Sequence, residues 1–332
     1  MIKKRNLDPS LINWIMNQTG IGPGIGEIFF VAPASSATSQ YRTQLQSMGI
    51  ERDNVIYTEP ATAIAATEDY RNDVVLIYPG TYTTGIADDL NAIHLLGLGA
   101  TPRSVKIAPT GASSYAGTLQ DSVVKGISFY SPSSTSTTYA AFRALKMYGS
   151  IVDNCYFYAG AVADTSTAFR IGTEAGSVNY DRMLGSRFTN NLIGTLSGGK
   201  NFYYGICFGK SAPTDANSRY TYMQDSVIAH NTIGAEFYGI MMGVIYTTGS
   251  NAIIAHNNVH GGLLSSGQCA EAGIRAYDRG HDNKLIKVYD NRISAHTPTT
   301  AIVGFSKQNI MGNIVGEGGG DTTPTGEWPL SA

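Results

Sequence analysis

The sequence predicts an all-β fold: a single-stranded right-handed parallel β-helix, a solenoid of about ten coils, with a short N-terminal capping helix. Three observations predict it. A motif made of an apolar residue, two others, an Asn, one more and a second apolar residue recurs along the C-terminal half of the chain. A second element, a small residue followed by an apolar one, alternates with it strictly. The interval between copies varies widely, which suits a fold that keeps its strands and lets its loops change length.

The motif centres on Asn154, Asn191, Asn231, Asn257, Asn291 and Asn313. Its flanking residues are Ile151 and Tyr156, Phe188 and Ile193, Ile228 and Ile233, Ile254 and Val259, Val288 and Ile293, and Ile310 and Val315. The Asn-to-Asn intervals are 37, 40, 26, 34 and 22 residues. An Asn at one place on successive coils stacks its amide on the next at a strand spacing of about 4.8 Å, donating to one neighbour and accepting from the other. Unpaired, each such amide would cost about 1–3 kcal/mol. The six are therefore expected to form a structural ladder. The second element reads Ala141-Phe142, Ala168-Phe169, Gly205-Ile206, Gly239-Ile240, Gly273-Ile274 and Ala301-Ile302.

Earlier rungs are expected at Val74 to Ile77, Ile93 to Leu96, Val105 to Ile107 and Val123 to Phe129, short β-rich runs closed by Gly, Pro or Ser. Long loops are expected at 109–120, 131–138, 173–183, 195–203 and 209–222. The chain divides into an N-terminal helix and Gly/Pro linker (1–26), the β-helix (27–316) and an extended C-terminal tail (317–332). Asp8 is a natural N-cap with Pro9 at the first helical position, and Leu11, Ile12, Ile15 and Met16 form an apolar stripe beside Trp14. A helix there would cover the unpaired edge of the first coil, or anchor the chain to a partner. The Gly/Pro-rich tail reads as an arm reaching a neighbouring subunit.

Composition narrows the function. Charged residues are 14% of the chain and the formal net charge is -2, with no basic stripe, so nucleic acid is not an expected partner. No run of 18 apolar residues occurs, so membrane insertion is not expected. The basic start, Met1 to Arg5, is followed by Asn6, Asp8, Pro9 and Asn13 rather than an apolar run, so no export signal is expected. Cys155, Cys207 and Cys269 fall on separate repeats, which suits buried, reduced thiols and synthesis in a reducing cytoplasm.

Ala61 to Ala66, followed by Asp73-Val-Val-Leu-Ile-Tyr78-Pro79-Gly80-Thr81-Tyr82, resembles the opening of pectin-lyase-like right-handed parallel β-helices, in which an Ala-rich helix precedes a strand ending Pro-Gly-x-Tyr. Leu95 to Gly99 and Lys125 to Phe129 resemble that superfamily's second and third coils. The stretch from Asp8 to Tyr82 is also similar to β-helix proteins encoded by environmental tailed phages. The resemblance implies a structural virion protein displayed on the particle surface, as capsid decoration, head fibre or tail spike. It would assemble in the host cytoplasm as a homotrimer against other virion proteins and bind host or surface glycans. The alternative it implies is a tailspike glycan depolymerase, a polysaccharide lyase or hydrolase.

The superfamily's catalytic runs do not occur on the core strands, so no enzyme is expected; Asp88-Asp89 and His260-Gly261 are partial matches only. Two groups remain candidates. The residues just before the ladder positions are Asp153, Asn190, His230, His256, Asp290 and Gly312, so His230, His256 and Asp290 would stack about 5 Å apart. They would form an acid/base group, a weak cation site or simply a polar column at a turn. Glu271 with Asp278 or Asp282, among Arg275, Arg279 and His281, would place carboxylates at glycosidase spacing or form surface ion pairs. No cofactor or metal is expected: Pro23 interrupts the Gly20 to Gly26 run where a phosphate cradle needs an N–H, and the six His lack ligand spacing.

Overall fold

The computed structural model describes residues 9–20, 24–33, 39–47, 56–131, 140–159, 166–172, 181–194, 202–208, 220–245, 251–261, 272–277, 286–295, 301–303, 305 and 309–317. Every strand pairing among them is parallel, and each strand pairs with its counterpart one coil away. The chain winds as a right-handed parallel β-helix with three faces.

Among the described residues sheet 1 holds 11 strands, from Ile28–Val31 and Asp73–Ile77 through Ile151–Asp153 and Val227–Ala229 to Ile310–Met311. Sheet 2 runs from Gly80–Tyr82 through Tyr156–Ala159 to Ile314–Glu317, and sheet 3 from Leu90–Asn91 through Ala140–Tyr148 to Ile302–Val303. The long strand Thr232–Ile245 serves both of these faces. One continuous core, from Phe29 to Val315, fills the bore. Its centre is aromatic: the rings of Tyr115, Phe142 and Phe169 stack at 4.3 and 5.2 Å, and Phe169 meets Phe188 at 4.2 Å. Such pairs add about 0.5–1.5 kcal/mol beyond burial.

The small-then-apolar element falls in register as expected, Phe142 opposite Phe169, Ile206, Ile240, Ile274 and Ile302. The small residue is a packing requirement. A Cβ on Gly205, Gly239 or Gly273 would run into the side chain of Ile233, Val259 or Ile293 from the opposite wall.

Two kinds of sharp corner recur along the coils, each a single residue in the left-handed region. Between sheets 1 and 2 these are Gly126, Asn154, Asn190, His230, His256, Asp290 and Gly312; between sheets 3 and 1 they include Ala92, Asp121, Gly149, Gly185 and Asp225. Gly, Asn, Asp and His adopt that conformation most readily.

From Asp121 on, the residue after each of these corners is buried, and it is polar at every one but Gly126 and Asn154, where Ile127 and Cys155 follow. At the first corner Asn191, Asn231, Asn257, Asn291 and Asn313 form the expected ladder. Nδ2 of the first four donates to Oδ1 of the Asn one coil on, at 2.9–3.1 Å, and to a main-chain carbonyl of the coil before; Asn313, the last, donates to Val288 O and Met311 O. Each Oδ1 also accepts the main-chain N–H of the rung before it. Asn154 is a correction: it is exposed, with φ 49°, and occupies the corner itself. The ladder position on that coil belongs to Cys155, whose N–H donates to Asn191 Oδ1 and whose thiol donates to Val124 O. The flanking apolar residues there are Val152 and Phe157.

At the second corner Ser122, Ser150, Ser186 and Ser226 make a ladder the sequence reading missed. The main-chain N–H of Ser122, Ser150 and Ser186 donates to the hydroxyl of the next Ser at 3.0–3.1 Å, and that hydroxyl donates to the carbonyl two residues back. The recurring Gly-Ser or Asp-Ser pair, before Val123, Ile151, Arg187 and Val227, was its signal.

Burial pushes the Cys155 thiol up to about 12, so it is a neutral, inert occupant of the ladder. Cys155→Asn is expected to extend the ladder by one rung and to stabilise the protein by about 1 kcal/mol. Chemical denaturation would check this; a destabilised variant would show that the site cannot accept an amide.

Several expected loops are shorter than anticipated. Tyr115–Gln120, within the expected 109–120 loop, is a strand with strictly alternating burial. Asp181–Leu184, Phe202–Phe208 and Tyr220–Gln224 similarly claim the ends of other expected loops. In Tyr115–Gln120 the half-buried Ala116, Thr118 and Gln120 are small or polar and mimic turn composition. The 131–138 loop lies almost wholly outside the described residues.

The N-terminal helix is present as Pro9–Thr19. Ile15, with Leu11, Ile12 and Met16 beside it, joins a second apolar cluster with the outward side chains of sheet 1, Phe30, Val74, Leu76, Leu96 and Val123. A helix not anticipated, Ser39–Ser47, adds Leu45 to that cover. A third helix, Pro60–Ile64, is the Ala-rich one that the resemblance implied, and it buries Ala63 and Ile64 in the main core beside the first rungs. The Pro-Gly-x-Tyr sequence closes locally, the buried Tyr82 hydroxyl donating to Tyr78 O at 2.7 Å.

His94 lies buried on sheet 1, its Nδ1 accepting the Val123 N–H at 3.2 Å. Burial lowers its pKa to about 4, against a pull upward from Asp73. Between about pH 6.5 and pH 4 the unfolded chain therefore binds a proton that the folded chain does not, so stability is lost as pH falls through that window. The loss expected is about 3 kcal/mol at the low end. Comparing unfolding free energies of the native chain and His94→Gln across this range checks it; equal slopes would sink the assignment.

Candidate functional site

The column proposed beside the ladder is partly assembled. His230 and His256 stack with ring centroids 4.9 Å apart and planes at 13°, and the Tyr289 ring meets His256 edge-on at 5.5 Å. Asp290 follows at the same corner, but its carboxylate lies against Gly312 on the next coil. Among the described residues no hydrogen bond or ion pair joins Asp290 to His256. Asp153 belongs to a different row: it pairs in register with Thr189, accepts hydrogen bonds from Thr189 Oγ1 and Asn190 Nδ2, and forms an ion pair with Lys125. The one-residue misframing at Asn154 had put it in the column.

The left-handed backbone explains the column's composition: His230, His256 and Asp290 have φ of 58, 55 and 52°. These residue types are what the corner selects once glycine is absent.

Glu271, Asp278, Arg279, His281 and Asp282, like Cys269, lie outside the described residues. Of that charged group Arg275 is described, donating from Nη1 to Tyr238 Oη at 2.7 Å with its guanidinium 5.5 Å from the ring centre. Asp89 is used structurally, its carboxylate accepting the Thr118 N–H at 2.6 Å, and His260 Nδ1 contacts Gly261 O. Among the described residues no three His, Cys, Asp or Glu side chains are placed to hold a metal ion, and no helix is long and apolar enough to cross a membrane.

The outer face of sheet 3 carries a cluster the sequence reading missed. Tyr204 and Tyr238 stack at 5.9 Å, Tyr203 and Phe237 at 4.5 Å, and Cys207 and Met241 are buried with them. Arg170, fully buried one row away, donates to Thr167 Oγ1 at 3.0 Å. The paired aromatics Tyr203-Tyr204 and Phe237-Tyr238, one coil apart, were the available signal. On sheet 1 near the C-terminal end, Ile253, Lys287, Tyr289, Asn309 and Met311 line an open cavity of about 350 Å³, next to His256 through Tyr289.

No protein-family model and no curated protein matches the sequence. Among solved structures the chain is similar to pectin methylesterase from carrot (14% identity, 92% of this chain and 86% of that one, TM-score 0.44). It is also similar to the pectin methylesterase PemA from Erwinia chrysanthemi (12% identity, 84% and 80%, TM-score 0.46) and the Dettilon tailspike protein (13% identity, 85% and 55%, TM-score 0.39). These likenesses are of fold alone. Three parallel faces, two polar ladders and one shared core make this chain a right-handed parallel β-helix.

Proposed function

We propose that this chain is a structural component of a tailed-phage particle, displayed on its surface as a rigid rod, in capsid decoration, a head fibre or a tail spike. The observation that carries the reading is the use to which the coil puts its polar residues. The Asn and Ser ladders are consumed in holding coils together, and the acid/base candidates at the edge serve as left-handed corners. The product is a stiff scaffold whose outer faces are free to vary, which suits display. The resemblance of residues 8–82 to phage β-helix proteins supplies the setting. Assembly would take place in the host cytoplasm, as a homotrimer.

Antibody labelling of purified particles under negative stain tests the location; label confined to the soluble fraction of the lysate would overturn it. Light scattering tests the trimer: a mass near three times 35.4 kDa is expected, and a mass near one chain, in solution and in particles alike, would refute it.

A second reading, a glycan depolymerase, is favoured by the convergence of Lys287, Tyr289 and His256 beside the cavity. It requires new reducing ends, or unsaturated ends, when the chain meets bacterial capsule, and loss of that activity in His256→Ala and Asp290→Ala.

A further inference from the structure

We propose that the chain's own C-terminal segment, residues 324–330, folds back onto the outer face of sheet 1 and seats Trp328 in the cavity at its last coils. Strand register sets the floor of that cavity. Ile253 lies opposite Lys287 and Tyr289 opposite Met311, while Ile254 and Val288 on the same strands point into the core. Asn309 completes the lining, and the open space is about 350 Å³. Met311 is 70% exposed, and Ile314, just round the corner, 44%.

The two ends of this face differ. At the first coils the outward side chains Phe30, Val74, Leu76, Leu96 and Val123 lie under Ile15 and Leu45 of the two N-terminal helices. At the last coils no helix among the described residues packs over Ile253, Tyr289 and Met311. A bare apolar patch at the open end of a solenoid invites association with other chains unless it is covered.

Residues 318–332 lie outside the described residues, and their length and chemistry suit that cover. Trp328 stands eleven residues beyond Glu317, where the last strand ends, and Glu317 is six residues from Met311. Eleven extended residues span about 36 Å and six about 20 Å, so the segment returns with slack and needs no neighbouring copy. Trp328 and Leu330 are its large apolar side chains, and Pro329 favours an extended Trp328. A cavity of about 150 Å³ holds benzene, so one of about 350 Å³ takes an indole and part of its neighbour. Charge agrees: Lys287, exposed on the rim, has no carboxylate partner among the described residues, and Glu327 directly precedes Trp328. A segment seated there requires neither the particle role nor catalysis.

Trp14 and Trp328 are the two tryptophans of the sequence, so Trp14→Phe in the full chain leaves Trp328 as the reporter. Its emission is expected to be blue-shifted, with a severalfold lower acrylamide quenching constant than in the urea-unfolded chain. Met311→Asp and Lys287→Glu, both at exposed positions, should each move emission and quenching toward the unfolded values with the unfolding midpoint unchanged. Adding Glu327→Lys to Lys287→Glu should restore the shielding. Co-refolding a Trp14→Phe, Met311→Asp chain with a Trp14→Phe, Trp328→Phe chain separates the two sources of the segment: Trp328 stays open if each tail serves its own groove and is shielded if it serves a neighbour's. Quenching as free as in urea, shielding indifferent to both groove variants, or shielding in the mixed assembly would overturn the proposal.

Discussion

Asn257→Ala is expected to lower the unfolding free energy by about 4 kcal/mol. Asn257 stands mid-ladder. Its Oδ1 accepts from the main-chain N–H and Nδ2 of Asn231, and its Nδ2 donates to Ile228 O and Asn291 Oδ1. Truncation strands two donors and a carbonyl in a region closed to solvent, where each unmade bond costs about 1–3 kcal/mol. A solenoid gains its stability from coupling between adjacent coils, so the break falls on the interface that holds the chain in one piece.

Two companion variants identify the cause. Asn257→Asp keeps an acceptor for Asn231 but turns a carboxylate oxygen toward Ile228 O and Asn291 Oδ1. Its folded-state pKa should rise above the unfolded value, so this variant is expected to gain stability relative to wild type as pH falls from 7 toward 4 and the acid regains a proton to donate. Asn154→Gly, at the exposed corner, should be neutral or slightly stabilising, because glycine adopts φ 49° without strain. Denaturant titration separates these outcomes. If Asn154→Gly and Asn257→Ala cost the same, the amide file does not hold the coils together.

The contrast between Asn154 and Asn257 shows where sequence pattern carries the fold and where it fails. Asn231, Asn257 and Asn291 were readable because their strands alternate: an inward apolar residue stands three before and two after each Asn, with polar, small or, at Tyr289, amphipathic residues between; Asn191 and Asn313 keep that frame although Leu192, Met311 and Ile314 break the alternation. On the Asn154 coil, Ile151 and Val152 are both apolar, as are Tyr156 and Phe157, because sheet 1 is covered outside by Ile15 and its neighbours and the outer face of sheet 2 carries tyrosines. Two frames then fit equally well, and only burial separates Cys155 from Asn154.

The Ser ladder escaped notice because a serine beside Gly or Asp in a corner is ordinary turn chemistry until its partners on other coils are known. Stacking of His230 on His256 was foreseeable from one residue per coil. Its reason was not, since backbone handedness leaves its trace in the set Gly, Asn, His and Asp down the column rather than in any one residue. The groove on sheet 1 joins residues 253, 287, 289, 309 and 311, whose proximity depends on loop lengths that no periodicity fixes.

Asp73→Ala is expected to cost about 3 kcal/mol and to act on the N-terminal end first. Asp73 is fully buried and gathers four donors. Its Oδ1 accepts the Glu27 N–H at 2.8 Å and Arg71 Nε at 2.7 Å; its Oδ2 accepts the Glu68 N–H at 2.9 Å and Arg71 Nη2 at 2.6 Å. Arg71 also reaches Glu68 at 2.8 Å and Glu27 at 3.4 Å, and this carboxylate company raises its pKa, chiefly through the bond to Asp73. One carboxylate thus ties the lead-in to strand Ile28–Val31, the turn after helix Pro60–Ile64 and the start of strand Asp73–Ile77. Gly26 is part of the joint, since a Cβ there would meet both Arg71 O and Asp73 Oδ1.

Removing the carboxylate leaves two main-chain N–H groups unpaired. Arg71, itself partly exposed, retains water and its two glutamates, which holds the cost below that of a fully buried broken pair. Hydrogen exchange should show Val74 and Glu27 amides, and then helix Pro9–Thr19, opening ahead of the ladder coils. Asp73→Asn, which keeps one acceptor, should fall between wild type and alanine. Uniform loss of protection along the whole chain in Asp73→Ala would mean that the solenoid unfolds as one unit and that the staple has no local function.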